Sequence, residues 1–306
     1  MKILIIGGGG QLGTKIVKQA REAHSLYATY ITRKPPLEET RTYQADKTER
    51  KDIHGLIRRL EPDVVIDTAA IHNVDYCETH REEAYLVNVK GTRNIAEACR
   101  SLGAKMIFVS TDYIFDGKKG LYKETDPANP VNYYGQSKLE GEKAVSEACE
   151  NHVIARTSVI YSWVSASTLQ SSSGKSLNFA MWLTQKLGKG ELVNIVTDQY
   201  NSPTLADSLA ETLIKVCEQG VTGLYHIAGK TRINRYDFTL KLANMMGYDK
   251  SLVHPINSSS LKQVAERPID SSLNVGKIER TLSIPMLNID EALTIFSTQA
   301  KEGTMR

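Results

Sequence analysis

The sequence predicts an α/β protein in which a doubly wound parallel sheet carries a smaller C-terminal region. Short runs of β-branched and other apolar residues alternate with amphipathic helical patterns from the N-terminus onward. Near-continuous apolar strands separated by helices indicate a parallel sheet that is covered on both faces. The alternation of strand and helix patterns is interrupted after residue 160 by a serine-rich stretch.

The elements of the first half follow in a regular order. The predicted strands are 2–6, 26–31, 63–67, 105–109 and 153–157. The helices predicted among them are 11–23, 49–60, 80–102 and 133–149, the last with Asn132 as its N-cap. The serine-rich segment 162–176 reads most simply as a mobile loop, either an edge of a substrate cleft or a loop without a role. Beyond it, helices or strands are predicted at 177–188, 192–196, 203–219, 224–228 and 235–247.

Composition restricts the class of protein. With 41% hydrophobic and 24% charged residues in 306, the chain is typical of globular proteins and excludes fibrous or disordered classes. A formal charge of +3 is too small to indicate nucleic-acid binding. The four cysteines show no metal-binding spacing, so we expect buried, reduced thiols and no metal site. The sequence shows neither a signal peptide nor a membrane segment, which predicts a cytoplasmic protein that does not associate with membranes.

A glycine run lies between the first strand and the first helix. KILIIGGGGQLG fits both GxGxxG and the wider spacing given by Gly7, Gly10 and Gly13, with Gln11 and Leu12 inside the motif. A strand, a glycine-rich turn and a helix N-terminus form the pyrophosphate site of a Rossmann-type sheet. We therefore predict a dinucleotide-binding domain from 1–160 plus about 197–224, and a substrate domain from about 161–196 and 225–306.

The end of the second strand indicates which dinucleotide is bound. YITRK has no carboxylate to accept hydrogen bonds from a ribose 2′-hydroxyl, whereas Arg33 and Lys34 suit a 2′-phosphate. This favours NADPH over NADH, although NAD stays possible. The alternative is that both residues are ordinary surface cations. Asp46 either accepts from the adenine amino group or caps the next helix, and Ala69 and Ala70 are small enough for a cofactor to lie against the backbone.

NYYGQSKLEGEK places Tyr134 and Lys138 four residues apart, on one face of the helix predicted at 133–149. Tyr133 has no lysine at that spacing, so Tyr134 is the partner. Taken alone, the pair fits either a catalytic site or an exposed helix face. The surrounding motifs favour the catalytic alternative.

Several segments in this order resemble the extended short-chain dehydrogenase/reductases and, within them, the dTDP-4-dehydrorhamnose reductase family. The matching segments are GGGGQLG, VVIDTAAIHNVDYCE, VNVKGTRNIAEAC, STDYIFDG, YGQSKLEGE, TDQYNSPT and RPIDSSLN. Together they extend from residue 1 to about 298. The resemblance implies an NADPH-dependent reductase of a 4-keto nucleotide-diphosphate deoxysugar, giving dTDP-L-rhamnose or a related sugar.

The resemblance also implies roles for individual residues. Thr111, Tyr134 and Lys138 would surround the substrate carbonyl, with Tyr134 as proton donor, Thr111 donating to the developing alkoxide and Lys138 holding the nicotinamide ribose. A neighbouring ammonium and an oxidised nicotinamide would favour phenolate, which predicts a lowered pKa for Tyr134. Arg267 matches a position that would pair with the substrate diphosphate, and Asn178 one near the sugar nucleotide; either could instead be a structural polar residue.

Departures from the family pattern concern substrate recognition and assembly. Val159 replaces a tryptophan usual after RTS, with Trp163 the nearest tryptophan, and the 162–176 segment is longer than usual. Tyr76 replaces a usual lysine. Lys15 stands where members that dimerise through a metal carry glutamate, so a homodimer is possible but not specified.

Two alternative functions remain open from the sequence. One is a non-catalytic NADP-binding regulatory subunit resembling that of methionine adenosyltransferase. The other is a sugar-nucleotide epimerase or dehydratase, which leaves its cofactor unchanged over a cycle.

Overall fold

The computed structural model describes residues 1–163 and 177–304. Most of the serine-rich segment predicted as a loop lies outside these residues. The strands are, in chain order, β1 (Lys2–Ile6), β2 (Ser25–Tyr30), β3 (Thr42–Gln44), β4 (Val64–Asp67), β5 (Lys105–Thr111), β6 (His152–Thr157), β7 (Ile160–Tyr161), β8 (Val193–Val196), β9 (Tyr200–Asn201), β10 (Thr204–Leu205), β11 (Gly223–His226), β12 (Ile233–Asn234) and β13 (Val253–Ile256). The α-helices are α1 (Gln11–Ala20), α2 (Arg50–Leu60), α3 (Val74–Thr79), α4 (Arg81–Tyr85), α5 (Thr92–Leu102), α6 (Tyr133–Ala148), α7 (Phe179–Gly188), α8 (Ala206–Glu218), α9 (Arg235–Met246), α10 (Gly276–Leu282) and α11 (Ile289–Thr304).

The central sheet has the strand order β3-β2-β1-β4-β5-β6-β11, and every neighbouring pair in it is parallel. The order reverses direction at β1, which is the point where doubly wound sheets bind ligands at the carboxyl ends of their strands. The predicted α/β, Rossmann-type fold is confirmed. The same edge therefore carries the residues that follow β1, β4, β5 and β6.

Apolar clusters cover both faces of this sheet. One face packs against α1, α8 and α10, and the other against α2, α5 and α6. Strands buried on both sides explain the near-continuous apolar runs in the sequence. Residues 273–286 contribute side chains to the first cluster, so the chain returns to the central sheet late in the sequence.

A separate cluster is formed by α7, α9 and α11 together with β8 and β13, which pair with each other outside the central sheet. The strand predicted at 192–196 is present, and it belongs to this smaller core. Assigning the two cores to separate domains with the predicted boundaries stays a prediction.

The helix predicted over 80–102 is interrupted. A π-helical turn, Leu86–Gly91, separates α4 from α5. A Cβ on Gly91 would lie 2.7 Å from the Lys47 side chain, so this turn needs a glycine for a close approach. π-helical turns often mark functional sites.

All four cysteines are buried free thiols, as the sequence predicted. Among the described helices, none combines the length and apolar character needed to cross a membrane.

Candidate active site

The glycine turn after β1 is packed too tightly for other side chains. A Cβ on Gly9 would lie 2.0 Å from the Arg33 carbonyl oxygen, and one on Gly13 would lie 2.5 Å from the Gly7 carbonyl oxygen. Gly7 has a φ of +82°, which favours glycine, and its Cβ would lie 3.0 Å from that of Ala69. The turn thus brings the N-terminus of α1 and the end of β4 together.

The N-terminus of α1 has properties suited to an anion. Gly10 is the N-cap and supplies no side-chain hydrogen bond, and no acidic residue lies in the first turn. Among the described residues, the buried Gln11 Nε2 atom has no hydrogen-bond partner. A helix end with an uncompensated dipole beside a tight glycine turn fits a dinucleotide pyrophosphate.

Arg33 and Lys34 lie in different surroundings although they are adjacent. The Arg33 backbone packs on Gly9, and partial burial lowers the pKa of its guanidinium. Lys34 is exposed and forms an ion pair of 3.1 Å with Glu39. The structure therefore brings Arg33 to the glycine turn and pairs Lys34 at the surface.

Asp46 does not cap the following helix, which excludes one of its two predicted roles. Its Oδ1 atom accepts hydrogen bonds from the backbone N–H and the hydroxyl of Thr48, each 2.8 Å long. The N-cap of α2 is Glu49, which makes no side-chain capping bond. Contact between Asp46 and an adenine amino group stays a prediction.

Thr111 is the last residue of β5, and Tyr134 lies in the first turn of α6. Asn132 caps this helix as predicted, because its side chain accepts from the Gly135 N–H at 2.9 Å. The Thr111 side chain lies close enough to the Tyr134 phenol to lower its pKa. The structure therefore brings two of the three predicted catalytic residues together near the carboxyl end of β5.

Lys138 lies one turn further along α6 and is buried. Its Nζ donates to the Val109 carbonyl oxygen at 2.8 Å and lies 3.9 Å from the centre of the Phe108 ring. Burial lowers the pKa of Lys138 to about 7. Near neutral pH the side chain therefore exchanges between ammonium and amine.

Without cofactor, the pKa of Tyr134 is raised. Burial is the main cause, and the nearby Thr111 side chain lowers the pKa in part. The lowered pKa predicted from the sequence refers to the state with a charged lysine and a bound oxidised nicotinamide, and for that state it stays a prediction. In the protein without cofactor, Tyr134 is therefore protonated at neutral pH.

Asp112 is a site residue that the sequence reasoning missed. The Thr111 hydroxyl donates to Asp112 Oδ1 at 3.1 Å and accepts from the Tyr113 N–H at 3.2 Å. A hydroxyl has a single proton to donate. In this arrangement Thr111 therefore directs its proton to Asp112.

Two serines from distant segments also donate to Asp112. Ser158 Oγ lies 2.7 Å and Ser271 Oγ lies 2.5 Å from Asp112 Oδ2. Burial raises the pKa of this carboxyl, and the three hydroxyl donors lower it. The position of Asp112 directly after Thr111 was the only signal in the sequence.

A buried ion pair fixes α6 to the sheet. Arg156 of β6 pairs with Glu142 of α6 at 2.7 Å, and Ser110 Oγ donates to Glu142 Oε1 at 2.5 Å. Glu142 continues the four-residue spacing of Tyr134 and Lys138, so the same helix face carries all three. That spacing could have identified Glu142 in advance.

The two predicted substrate residues make contacts within the protein. The Asn178 side chain caps α7 by accepting from the Met181 N–H at 3.1 Å, and its Nδ2 donates to the Ser162 carbonyl oxygen at 2.7 Å. Arg267 is largely buried and forms an ion pair of 2.9 Å with Asp75. Both residues therefore have structural partners, and contact with a substrate stays a prediction.

A small cleft lies at Val159, where the family pattern differs in this chain. Val159 has a φ of +39°, which is strained for a β-branched residue. The cleft is lined by Val159, Tyr161, Phe179, Asn201, Pro203, Arg235 and Phe238. The Trp163 ring packs on Phe296, with ring centres 6.1 Å apart, in the smaller core.

The other departing residues also have partners within the chain. Tyr76 donates to Glu83 at 2.5 Å and stacks on His80. Lys15 forms an ion pair of 3.0 Å with Asp207, which joins α1 to α8. Lys15 thus stabilises the packing of two helices of one chain.

Together, the parallel sheet, the glycine turn and the Thr111–Tyr134–Lys138 arrangement define a short-chain dehydrogenase/reductase. The chain belongs to the family described as RmlD substrate binding domain, whose model matches residues 1–301. The resemblance predicted from the motifs is confirmed.

Relatives of known name cover nearly the whole chain. The probable low-salt glycan biosynthesis reductase Agl14 of Haloferax volcanii is 30% identical over 295 residues, with 96% of each chain covered. The dTDP-4-dehydrorhamnose reductase of Salmonella typhimurium is 30% identical over 295 residues, with 93% of each covered. The crystal structure of dTDP-4-dehydrorhamnose reductase from Bacillus anthracis in complex with NADP matches with a TM-score of 0.85 at 26% identity, covering 97% of this chain and 99% of that one.

Proposed function

We propose that this chain reduces the 4-keto group of a nucleotide-diphosphate deoxysugar with NADPH. The substrate class is dTDP-4-dehydrorhamnose or a close relative, and the product is dTDP-L-rhamnose or a related sugar. The observation that carries the proposal is the placement of Thr111 at the end of β5 near Tyr134, with Lys138 one turn further along α6, at the sheet edge that holds the glycine turn. Family membership and the names of the relatives support the same reaction.

The dinucleotide site would be formed by the glycine turn and α1. The backbone around Gly10, Gln11, Leu12 and Gly13 would face the pyrophosphate, and Arg33 the 2′-phosphate. Ala69 and Ala70, partly buried after β4, would border the cofactor, as would Tyr134 and Lys138. When bound, NADPH supplies the hydride for the carbonyl carbon.

Tyr134 would act as the proton donor. Its raised pKa keeps the phenol protonated at neutral pH, which is the state that reduction of a ketone requires. As negative charge develops on the substrate oxygen, the phenol proton moves to that oxygen and leaves a phenolate. An ammonium on Lys138 would stabilise the phenolate.

Thr111 would have to change its hydrogen bond during this step. In the structure its proton points to Asp112, so the hydroxyl can only accept from other groups. Donation to the substrate oxygen requires rotation of that proton away from Asp112. Ser158 and Ser271 continue to satisfy the Asp112 carboxylate when this happens.

The nucleotide sugar would extend from this centre toward Arg267 and α7. Arg267 would pair with the diphosphate in exchange for its contact with Asp75, whose side chain is 40% exposed. Asn178 would border the sugar nucleotide from the start of α7 while it caps that helix.

The test is NADPH oxidation, followed by its absorbance, with a panel of 4-keto nucleotide sugars that differ in base. Tyr134→Phe is expected to lower kcat by at least about a hundredfold while the Kd for NADPH stays within about twofold. Tyr133→Phe is the matched control, because the neighbouring tyrosine carries no predicted role and should keep near-normal turnover.

Other outcomes would favour other functions. Clear NADPH binding without turnover of any sugar would support a regulatory subunit. A converted sugar with unchanged cofactor would support an epimerase or dehydratase. Full activity in Tyr134→Phe would show that another group is the acid.

A further inference from the structure

Lys47 is a buried lysine just after β3, beside the predicted cofactor residue Asp46. Its side chain is 3% exposed. The Nζ atom donates to Asp67 Oδ2 at 2.8 Å, to the Ala69 carbonyl oxygen at 2.6 Å and to Thr92 Oγ1 at 3.2 Å. An ammonium has three N–H donors, and three acceptors surround this one. The geometry therefore suits a charged lysine.

The carboxylate partner is equally well satisfied. Asp67, the last residue of β4, accepts from Lys47 and Thr92 through Oδ2, and its Oδ1 accepts from the Ala69 N–H at 3.1 Å. Thr92 opens α5 directly after the π-helical turn, and Asn94 of α5 holds the Lys47 carbonyl oxygen at 3.0 Å. The pair thus joins β4, α5 and the segment after β3.

This network lies next to the predicted cofactor surface. Lys47 and Asp67 fix the carbonyl and the N–H of Ala69, respectively. Ala69 in turn packs on the glycine turn, since a Cβ on Gly7 would lie 3.0 Å from its own Cβ. Loss of the network would release the backbone on which the cofactor is proposed to lie.

The network also lies beside Lys138. Asp67 pairs with Phe108 across the parallel strands β4 and β5, so both side chains point to the same face of the sheet. The Lys138 Nζ atom lies 3.9 Å from the centre of that Phe108 ring. Two lysines and one aspartate are therefore gathered on one face, shielded from water.

Four charged or titratable groups act on Lys138 besides burial. Burial is the largest cause of its lowered pKa, followed by the charge of Lys47. Asp67 of β4, Glu142 of α6 and Cys77 of α3 act in the opposite direction. Of these four groups, Lys47 is the one that carries a positive charge and lowers the pKa of Lys138.

We propose that Lys47 and Asp67 are positioning residues of the reductase site, which hold the Ala69 backbone against the glycine turn and place one positive and one negative charge beside Lys138. The proposal deepens the proposed function and rests on it for its catalytic meaning. Lys138 must be an ammonium to stabilise phenolate, so kcat falls as pH rises through its pKa. Removal of the Lys47 charge raises that pKa and extends activity to higher pH.

The test measures the ionisation of Lys138 directly as well as the pH profile. Protein labelled with ¹³C at the lysine ε-carbon is titrated by NMR without cofactor, and the Lys138 signal is assigned by its loss in Lys138→Arg. Lys47→Met keeps the apolar stem and removes the charge. Its Lys138 midpoint is expected to rise by about one pH unit, and the Kd for NADPH to increase by about tenfold because Ala69 is released.

Lys105→Met is the matched control. Lys105 is also a buried lysine, and its Nζ donates to the Val221 carbonyl oxygen at 3.0 Å, at the opposite end of β5 from Thr111. Its loss should leave the Lys138 midpoint and the Kd for NADPH unchanged. Equal effects of both substitutions would overturn the proposal.

A second variant covers the case in which Lys47→Met leaves Asp67 unpaired and does not fold. Lys47→Met combined with Asp67→Asn removes both charges and the lysine contact with the Ala69 carbonyl oxygen, so the Kd for NADPH should still increase by about tenfold. An unchanged Kd in a folded double variant would overturn the proposal. If the wild type reduces no sugar, the proposed function fails, whereas the titration still decides the coupling.

Discussion

Arg33 and Lys34 show how two adjacent cations acquire different roles. Arg33 packs its backbone on Gly9 and is partly buried, whereas Lys34 is exposed and paired with Glu39. Guanidinium binds phosphate through a fork of donors, while an exposed ammonium interacts weakly and is screened by salt. We therefore predict that Arg33 is the residue that discriminates NADPH from NADH.

Arg33→Ala is expected to raise the Kd for NADPH by about tenfold or more and to change the Kd for NADH by less than about twofold. Fluorescence titration with both cofactors measures this. Lys34→Ala is the control and should affect the two cofactors equally and weakly. Equal losses of both cofactors in Arg33→Ala would show that the guanidinium does not contact the 2′-phosphate.

Some site residues were predictable at this scale and others were not. Tyr134 and Lys138 were proposed from helical spacing, and Thr111 from the family resemblance of the segment around it. Asp112 was missed because its donors come from Ser158 and Ser271, far along the chain. The rise of the Tyr134 pKa in the protein without cofactor was not predicted, because desolvation depends on what covers a side chain.

At the scale of elements, the glycine turn connects β1 to α1 and contacts the segment that follows β2. Gly9 meets the Arg33 carbonyl oxygen, and Gly8 meets Ala28, where an added Cβ would lie 2.5 Å from the existing one. These contacts hold the Arg33 segment against the N-terminus of α1. The motif predicted the turn, but its contact with the segment after β2 could not be read from the glycine spacing.

Gly9→Ala is expected to push the Arg33 segment away and to raise the Kd for NADPH by at least about tenfold, since backbone cannot yield as a side-chain tip can. Gly55→Ala is the control, because this glycine lies within α2 and a Cβ there meets nothing within 4 Å. That substitution should stabilise the fold by about 0.5–1 kcal/mol and leave binding intact. Thermal unfolding and cofactor titration measure both effects; unaltered NADPH binding in Gly9→Ala would contradict the close approach.

At the scale of the whole molecule, the buried Lys138 links stability to pH. Its pKa is about 7 in the folded chain, against an ordinary value of 10.5. Between these values the unfolded chain binds a proton that the folded chain does not, so the free energy of unfolding rises with pH. Above about 9, the raised pKa values of the buried cysteines oppose this trend.

From pH 7 to about 9, the wild type should gain about 2 kcal/mol of unfolding free energy relative to Lys138→Met, because one proton contributes up to about 1.4 kcal/mol per pH unit. Urea unfolding of both proteins without cofactor measures the difference. Parallel pH dependences would mean that Lys138 is charged in the folded protein throughout this range.

The predicted cytoplasmic location and possible homodimer are separate predictions at this scale, and assembly requires its own measurement of mass in solution.

The sequence by itself determined the alternation of strands and helices, the glycine turn and the spacing of Tyr134 and Lys138, because each depends on neighbours within about one turn or one strand. Only the tertiary structure decided that residues 273–286 return to pack on the central sheet, and that Lys47, Asp67 and Lys138 share one buried face. Those features depend on which distant segments exclude water from a side chain. Local sequence patterns therefore determine the strands, the turn and the helix that form the site, whereas desolvation and charge pairing determine the pKa values of its side chains.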